Sequence, residues 1–277
     1  MKKLFIPILF LVNSYICSQE KIEKTSKKHT FYVYWGWNRG FYTHSDIHFK
    51  GNEYDFMLYD VVAKDRQSRF NLETYFSPTK LTIPQYNFRI GYFLNDNYSI
   101  SIGADHMKYV MQQNQIVKIS GKIENSNTTY DGTYDHSNIV LENNFLMFEH
   151  TDGLNYENIE LRRHHEFFSR KNFNISVFEG FGVGILVPKT NTTLLNNQRY
   201  DEFHLAGYGL GIVGGINFEF FKYFFLQTEC KFGFIHMPDI RTTQFKSDRA
   251  SQYFFFSQFN GTFGVRLPLG KNKKTSD

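Results

Sequence analysis

With 277 residues, 41% of them hydrophobic, the chain is long enough for one large domain or two small ones, and its mean hydropathy of −0.43 is too polar for a bundle of membrane-spanning helices. Its 31 Phe, 18 Tyr and 2 Trp exclude a disordered chain, and a formal net charge of +4 gives no signal for a nucleic-acid partner. Alanine is confined to Ala63, Ala104, Ala206 and Ala250, so an aromatic-rich, Ala-poor composition argues for strands rather than helices.

The N-terminus carries Lys2 and Lys3, then an apolar run from Leu4 to Val12, then polar and small residues to Gln19. That order reads as a secretory signal peptide over 1–19, cleaved near Ser18 or Gln19; the apolar core is too short for a spanning helix. Ile16, ahead of Cys17, departs from the small residue that lipid attachment requires. Removing Lys2 and Lys3 lowers the charge to +2 and leaves Cys230 as the one cysteine, so no intramolecular disulfide can form. Residues 20–28 are expected as a short periplasmic lead-in.

From 29 onward, apolar and polar residues alternate with period two, the mark of strands with two unlike faces. Eight long strands are expected: His29–Gly40, Gln85–Phe93, Asn97–Val110, Leu154–Phe168, Asn172–Val187, His204–Phe220, Tyr223–Met237 and Tyr253–Leu267. Tyr98, Ile100, Ile102 and Ala104 oppose Ser99, Ser101, Gly103 and Asp105; Tyr86, Phe88, Ile90 and Tyr92 oppose Gln85, Asn87, Arg89 and Gly91. The connections alternate between short (94–96, 169–171, 221–222) and long (41–84, 111–153, 188–203, 238–252). Short periplasmic turns alternating with longer external loops are the plan of an outer-membrane barrel, and each strand is long enough to cross a bilayer when tilted. The fold class expected is all-β: a closed antiparallel transmembrane barrel over 29–269, with a polar tail at 270–277. Tyr86, Tyr92, Phe93, Phe220, Phe221, Tyr223 and Phe224 would form interfacial girdles.

In signal, strand number, alternation and loop plan the chain resembles the small outer-membrane β-barrel proteins of Gram-negative bacteria, of the OmpA/OmpX/OmpW general type. Tyr34-Trp35-Gly36-Trp37-Asn38-Arg39, Ser45-Asp46-Ile47-His48-Phe49-Lys50-Gly51 and Glu149-His150-Thr151-Asp152-Gly153-Leu154-Asn155-Tyr156 look like stretches of relatives that bring no assigned activity. Such barrels often end on a terminal aromatic, whereas this one ends Val265-Arg266-Leu267-Pro268-Leu269. The resemblance implies outer-membrane lipid and lipopolysaccharide as surroundings and the barrel-assembly machinery as a partner during insertion.

The alternation places Arg89, Arg162, Lys231 and Arg266 inside the wall with Asp105, Glu160, Glu219 and Glu229. Eight strands leave a lumen that side chains can fill, and unpaired buried charge would cost several kcal/mol per ion, so a paired plug is expected rather than a pore. Glu179 shares the lipid-facing phase of Ile175, Val177, Phe181 and Val183; a bulge near Phe178–Gly180 would turn it inward to a base.

Candidate chemistry is sparse. Asp105 and His106, with Glu149, His150 and Asp152, fall near the same external rim, where a carboxylate-oriented histidine would serve a lipid A acyl hydrolase-like enzyme. No Gly-x-Ser-x-Gly accompanies them, and the reading leans away from an enzyme. His44, Asp46 and His48 alternate and form a weak metal set without a further ligand. His164 and His165 point to opposite faces. Gly180, Gly182 and Gly184, and Gly207, Gly209 and Gly211, are expected to leave room for large neighbours rather than to cradle phosphate. No cofactor is expected. The leading expectation is a monomeric barrel with a structural or surface-recognition role, an external ligand being met by loops 41–84 and 111–153; the alternatives are the hydrolase and a narrow conduit for a small solute. Asp55–Val62 reads as an extra hairpin and Gln112–His136 as a flexible tip.

Overall fold

The computed structural model describes residues 26–268 apart from 78, 81, 82, 198 and 201. The segments read as signal peptide (1–19) and polar tail (270–277), and most of the expected lead-in, lie outside the described residues. Eight antiparallel strands form a closed hydrogen-bonded ring: β1 (Thr30–Tyr42), β5 (Tyr86–Phe93), β6 (Tyr98–Met111), β9 (Leu146–Arg170), β10 (Phe173–Leu186), β12 (Gly207–Phe220), β13 (Phe224–Arg241) and β14 (Arg249–Pro268), which pairs back onto β1. Closure leaves no sheet edge in the wall, so its backbone groups pair with one another.

The registers fix the geometry of the ring. Partners lead from Phe31 through Tyr92, Ile100, Leu161, Phe181, Ile212, Phe232 and Ser257 back to β1 at Phe41, ten residues on. For eight strands about 4.7 Å apart, that shear tilts each strand by about 41° and lifts each residue about 2.5 Å along the axis. The outer face between those two levels is an apolar belt about 25 Å tall, carrying Ile90, Ile102, Leu161, Phe181, Ile212 and Phe232 exposed. Tyr92, Tyr98 and Phe224 stand at its turn end, and Tyr86, Tyr208 and Tyr253 toward its loop end. Phe93, expected in the girdle, is 3% exposed and faces inward on Tyr32, because it shares the parity of Arg89 and Gly91.

Glu179 does not turn inward. The irregularity in β10 lies at Ile175/Ser176, and Glu179 keeps its outward phase opposite Arg163 and Gly214. It sits about 7 Å above the turn-end edge, because the β9–β10 hairpin overhangs its neighbours. There its carboxylate meets His165 Nε2 at 2.9 Å on the outer face.

The long connections are not loose loops. β2 (Ser45–Lys50), β3 (Tyr54–Val61), β7 (Ile116–Ile123) and β8 (Gly132–Val140) extend the sheet in sequence from the upper part of β14. β4 (Ala63–Lys64) pairs with β6, and β11 (Asn191–Leu194) with the top of β9. The flexible tip expected over 112–136 is thus mostly β7 and β8, whose turn holds Asn125 and Asn127 at positive φ. Ile47, Phe49, Phe56, Leu58, Ile119, Phe145, Phe148, Met237 and Ile240 are at most 1% exposed and form one apolar core above the belt. Each fully buried side chain of this kind is worth about 1.5–3 kcal/mol, which makes the cap a folded layer in its own right.

The inward glycines lie against large side chains. A Cβ at Gly184 or Gly209 would fall 2.7 or 2.9 Å from the Tyr156 ring, and one at Gly103 would fall 2.8 Å from the Arg89 guanidinium carbon.

Candidate functional site

All eight charges assigned to the lumen are buried there. Six of them form one network. Glu160 takes Arg89 Nη2 at 2.9 Å on one oxygen and Arg162 Nη2 at 2.6 Å on the other, and Lys231 Nζ reaches it at 2.7 Å. Arg162 also meets Glu229 at 3.0 Å, and Lys231 pairs with Asp105. Neutral groups add further hydrogen bonds. Asn87 and Asn158 donate to Asp105 at 2.6 and 3.0 Å, Asn260 and Gln227 donate to Glu229 at 2.7 and 2.9 Å, and the Tyr34 hydroxyl accepts from both arginines at 3.0 Å. The remaining two, Arg266 and Glu219, form a separate pair at 2.6 Å nearer the turn end, with the guanidinium over Phe93. Tyr156 roofs the network: Lys231 lies 5.9 Å from its ring, and the same ring packs into the apolar cap against Phe256.

The rim residues do not assemble. Asp105 points into the lumen, whereas His106 points out, stacks on Tyr86 at 4.8 Å and bonds Asn155 at 2.8 Å. Adjacent strand residues face opposite ways, so the wall separates them. Glu149 takes Arg66 at 2.9 Å, along with Asn191 and Thr151. His150 stands in the β9 extension above the belt and is fully buried, with Thr190 at 2.9 Å and Gln252 at 3.2 Å on its two nitrogens. Burial holds its imidazole down to about 3, so it is neutral at ordinary pH and no carboxylate orients it. Asp152 faces Lys189 at 3.6 Å. The weak metal set also separates: His44 pairs with Asp60 at 2.9 Å, His48 pairs with Asp55 at 2.7 Å, and Asp46 accepts the Asp60 amide. Among the described residues, no group of three or more His, Cys, Asp or Glu is arranged to hold a metal.

A polar cleft of about 650 Å³ opens on the cap, lined by Tyr54, Asn197, Tyr200, Glu202, Phe245 and Asp248. Burial raises the Tyr54 hydroxyl well above its ordinary pKa. Arg241 lies over the Tyr200 ring at 5.9 Å. Sequence reasoning did not single out these residues, because three connections supply them and only the folded cap brings them together.

No family model matches the chain, and no curated protein matches it. Among solved structures it is similar to the outer membrane protein OprG from Pseudomonas aeruginosa (9% identity, TM-score 0.41, 88% of this chain and 98% of that one). It is also similar to Neisserial surface protein A (11%, 0.34, 89% and 100%) and to the attachment invasion locus protein Ail of Yersinia pestis (8%, 0.28, 87% and 99%). The barrel class itself rests on the eight-strand hydrogen-bond ring that β1 and β14 close.

Proposed function

We propose that this protein is an outer-membrane barrel that carries no solute and acts at the cell surface through its folded cap, in a structural or recognition role. The observation that carries this reading is the stacking of two cores: a buried apolar cap sits on a buried network of paired charges inside the lumen. The apolar belt fits hydrocarbon, and outer-membrane lipid and lipopolysaccharide are the surroundings it implies, with the barrel-assembly machinery acting during insertion. The cap cleft, with aromatic faces beside amide and carboxylate groups, is the candidate place for an external ligand. The residues weighed for an outer-leaflet hydrolase stay apart, so no observation favours that reading. The test is conductance of the purified barrel in a planar bilayer. No channel steps are expected in the wild type; steady single-channel currents would revive the conduit and remove the plug.

A further inference from the structure

Two arginines stand opposite each other in the upper wall. Arg241 and Arg249 are register partners in β13 and β14, and Arg249 is in turn the partner of Lys50 in β2, so three cations stand side by side on one face of the sheet. Neighbouring strands lie about 4.8 Å apart, which keeps the row within about 10 Å. Like charges directly opposite each other destabilise a sheet, and this row is poorly compensated. Asp239 meets Arg249 Nε at 3.0 Å but is shared with His204, also at 3.0 Å. Asp55 is held by His48 at 2.7 Å and reaches Lys50 only at 3.8 Å. Arg241 has no carboxylate partner among the described residues; its guanidinium lies 5.9 Å from the Tyr200 ring. Arg241 Nε and Arg249 Nη1 are both buried without a hydrogen-bond partner. Asp248, next to Arg249 in the chain, takes the other face, where Thr243 and Ser247 hold it.

A buried guanidinium nitrogen without an acceptor is costly, and an anion placed across the pair would supply acceptors to both arginines. The guanidinium fork matches phosphate oxygens two at a time. Position narrows what carries the phosphate. Arg249 lies eight residues beyond Ser257, the partner of Phe41 at the loop end of the belt, and so about 20 Å above it. Phospholipid head groups extend only about 5–8 Å beyond the hydrocarbon. Below the row the same face of β14 continues with Ser251, in register with His48, and then with Tyr253, 55% exposed. Hydroxyl-bonding groups above an open ring are a surface that suits a sugar.

We propose that Arg241, Arg249 and Lys50 bind the phosphate of a phosphorylated saccharide at the cell surface. The surface placement rests on the membrane-barrel reading above. The test titrates the exported protein, purified in detergent micelles, with glucose 1-phosphate, glucose and inorganic phosphate by calorimetry. Glucose 1-phosphate is expected to bind, glucose not to bind, and inorganic phosphate to bind about tenfold more weakly than glucose 1-phosphate. Arg241→Gln is expected to weaken glucose 1-phosphate binding about tenfold or more. Its urea midpoint should not fall, because the substitution removes an unpaired like charge. Lys246→Gln, on the exposed β13–β14 turn, is expected to bind as the wild type does. Competition by lipopolysaccharide micelles would assign the saccharide to a membrane glycolipid, and binding without such competition to a free sugar phosphate. A wild type that does not bind glucose 1-phosphate, or an Arg241→Gln variant of unchanged affinity, overturns the site; a heat-modifiable band in the outer-membrane fraction then still leaves the barrel reading standing. Inorganic phosphate bound as tightly as glucose 1-phosphate overturns the saccharide.

Discussion

Glu160→Gln is expected to lower the unfolding free energy of the barrel by about 3–5 kcal/mol, read as a fall in the urea midpoint in detergent micelles or vesicles. Glu160 is the one carboxylate that touches Arg89, Arg162 and Lys231. Without its charge, three cations share Asp105 and Glu229 in a lumen where Arg89 and Arg162 are at most 1% exposed. Pairing Glu160→Gln with Lys231→Met restores the balance of charge and is expected to recover more than half of the loss. A single-variant effect below about 1 kcal/mol, the size of an exposed ion pair, would mean a wet, screened lumen and would contradict the plug.

Phe56→Ala is expected to open the cap while leaving the barrel closed. Phe56 is 1% exposed, with Phe49, Tyr54 and Phe145 rings 5.3 to 5.8 Å away, and none of these belongs to the belt. A buried Phe→Ala truncation costs about 3–5 kcal/mol. Trypsin added to intact cells should then cut at Lys118 or Lys122, in a strand the wild type protects, while the remaining barrel keeps its compact mobility. Loss of the barrel together with the cap would show that the two layers fold as one unit.

The wall was legible because period-two alternation states which face each residue takes, and the eight charges follow from that parity. Parity does not give height. Glu179 has the outward phase its neighbours imply, yet it sits near the turn end beside His165 because the β9–β10 hairpin overhangs, and overhang is a property of shear that no single strand reveals. The same limit hid the three bases around Glu160, which come from different strands. The separation of Asp105 from His106 was legible, since the rule that parts His164 from His165 parts them too. The cap was concealed by short strands: Val117, Ile119 and Ile123 alternate with Lys118 and Lys122 in β7, but β8 is exposed along most of its length as the sheet edge and carries no such pattern. The cap cleft had no local signal, being assembled from separate connections.

Comparing unboiled with boiled outer-membrane fractions on a denaturing gel tests most directly whether this chain is a closed barrel in the outer membrane. The protein is expected in that fraction, as a compact fast-migrating band that shifts to its full-length mobility on boiling. A soluble periplasmic protein with a single mobility, boiled or not, would contradict it.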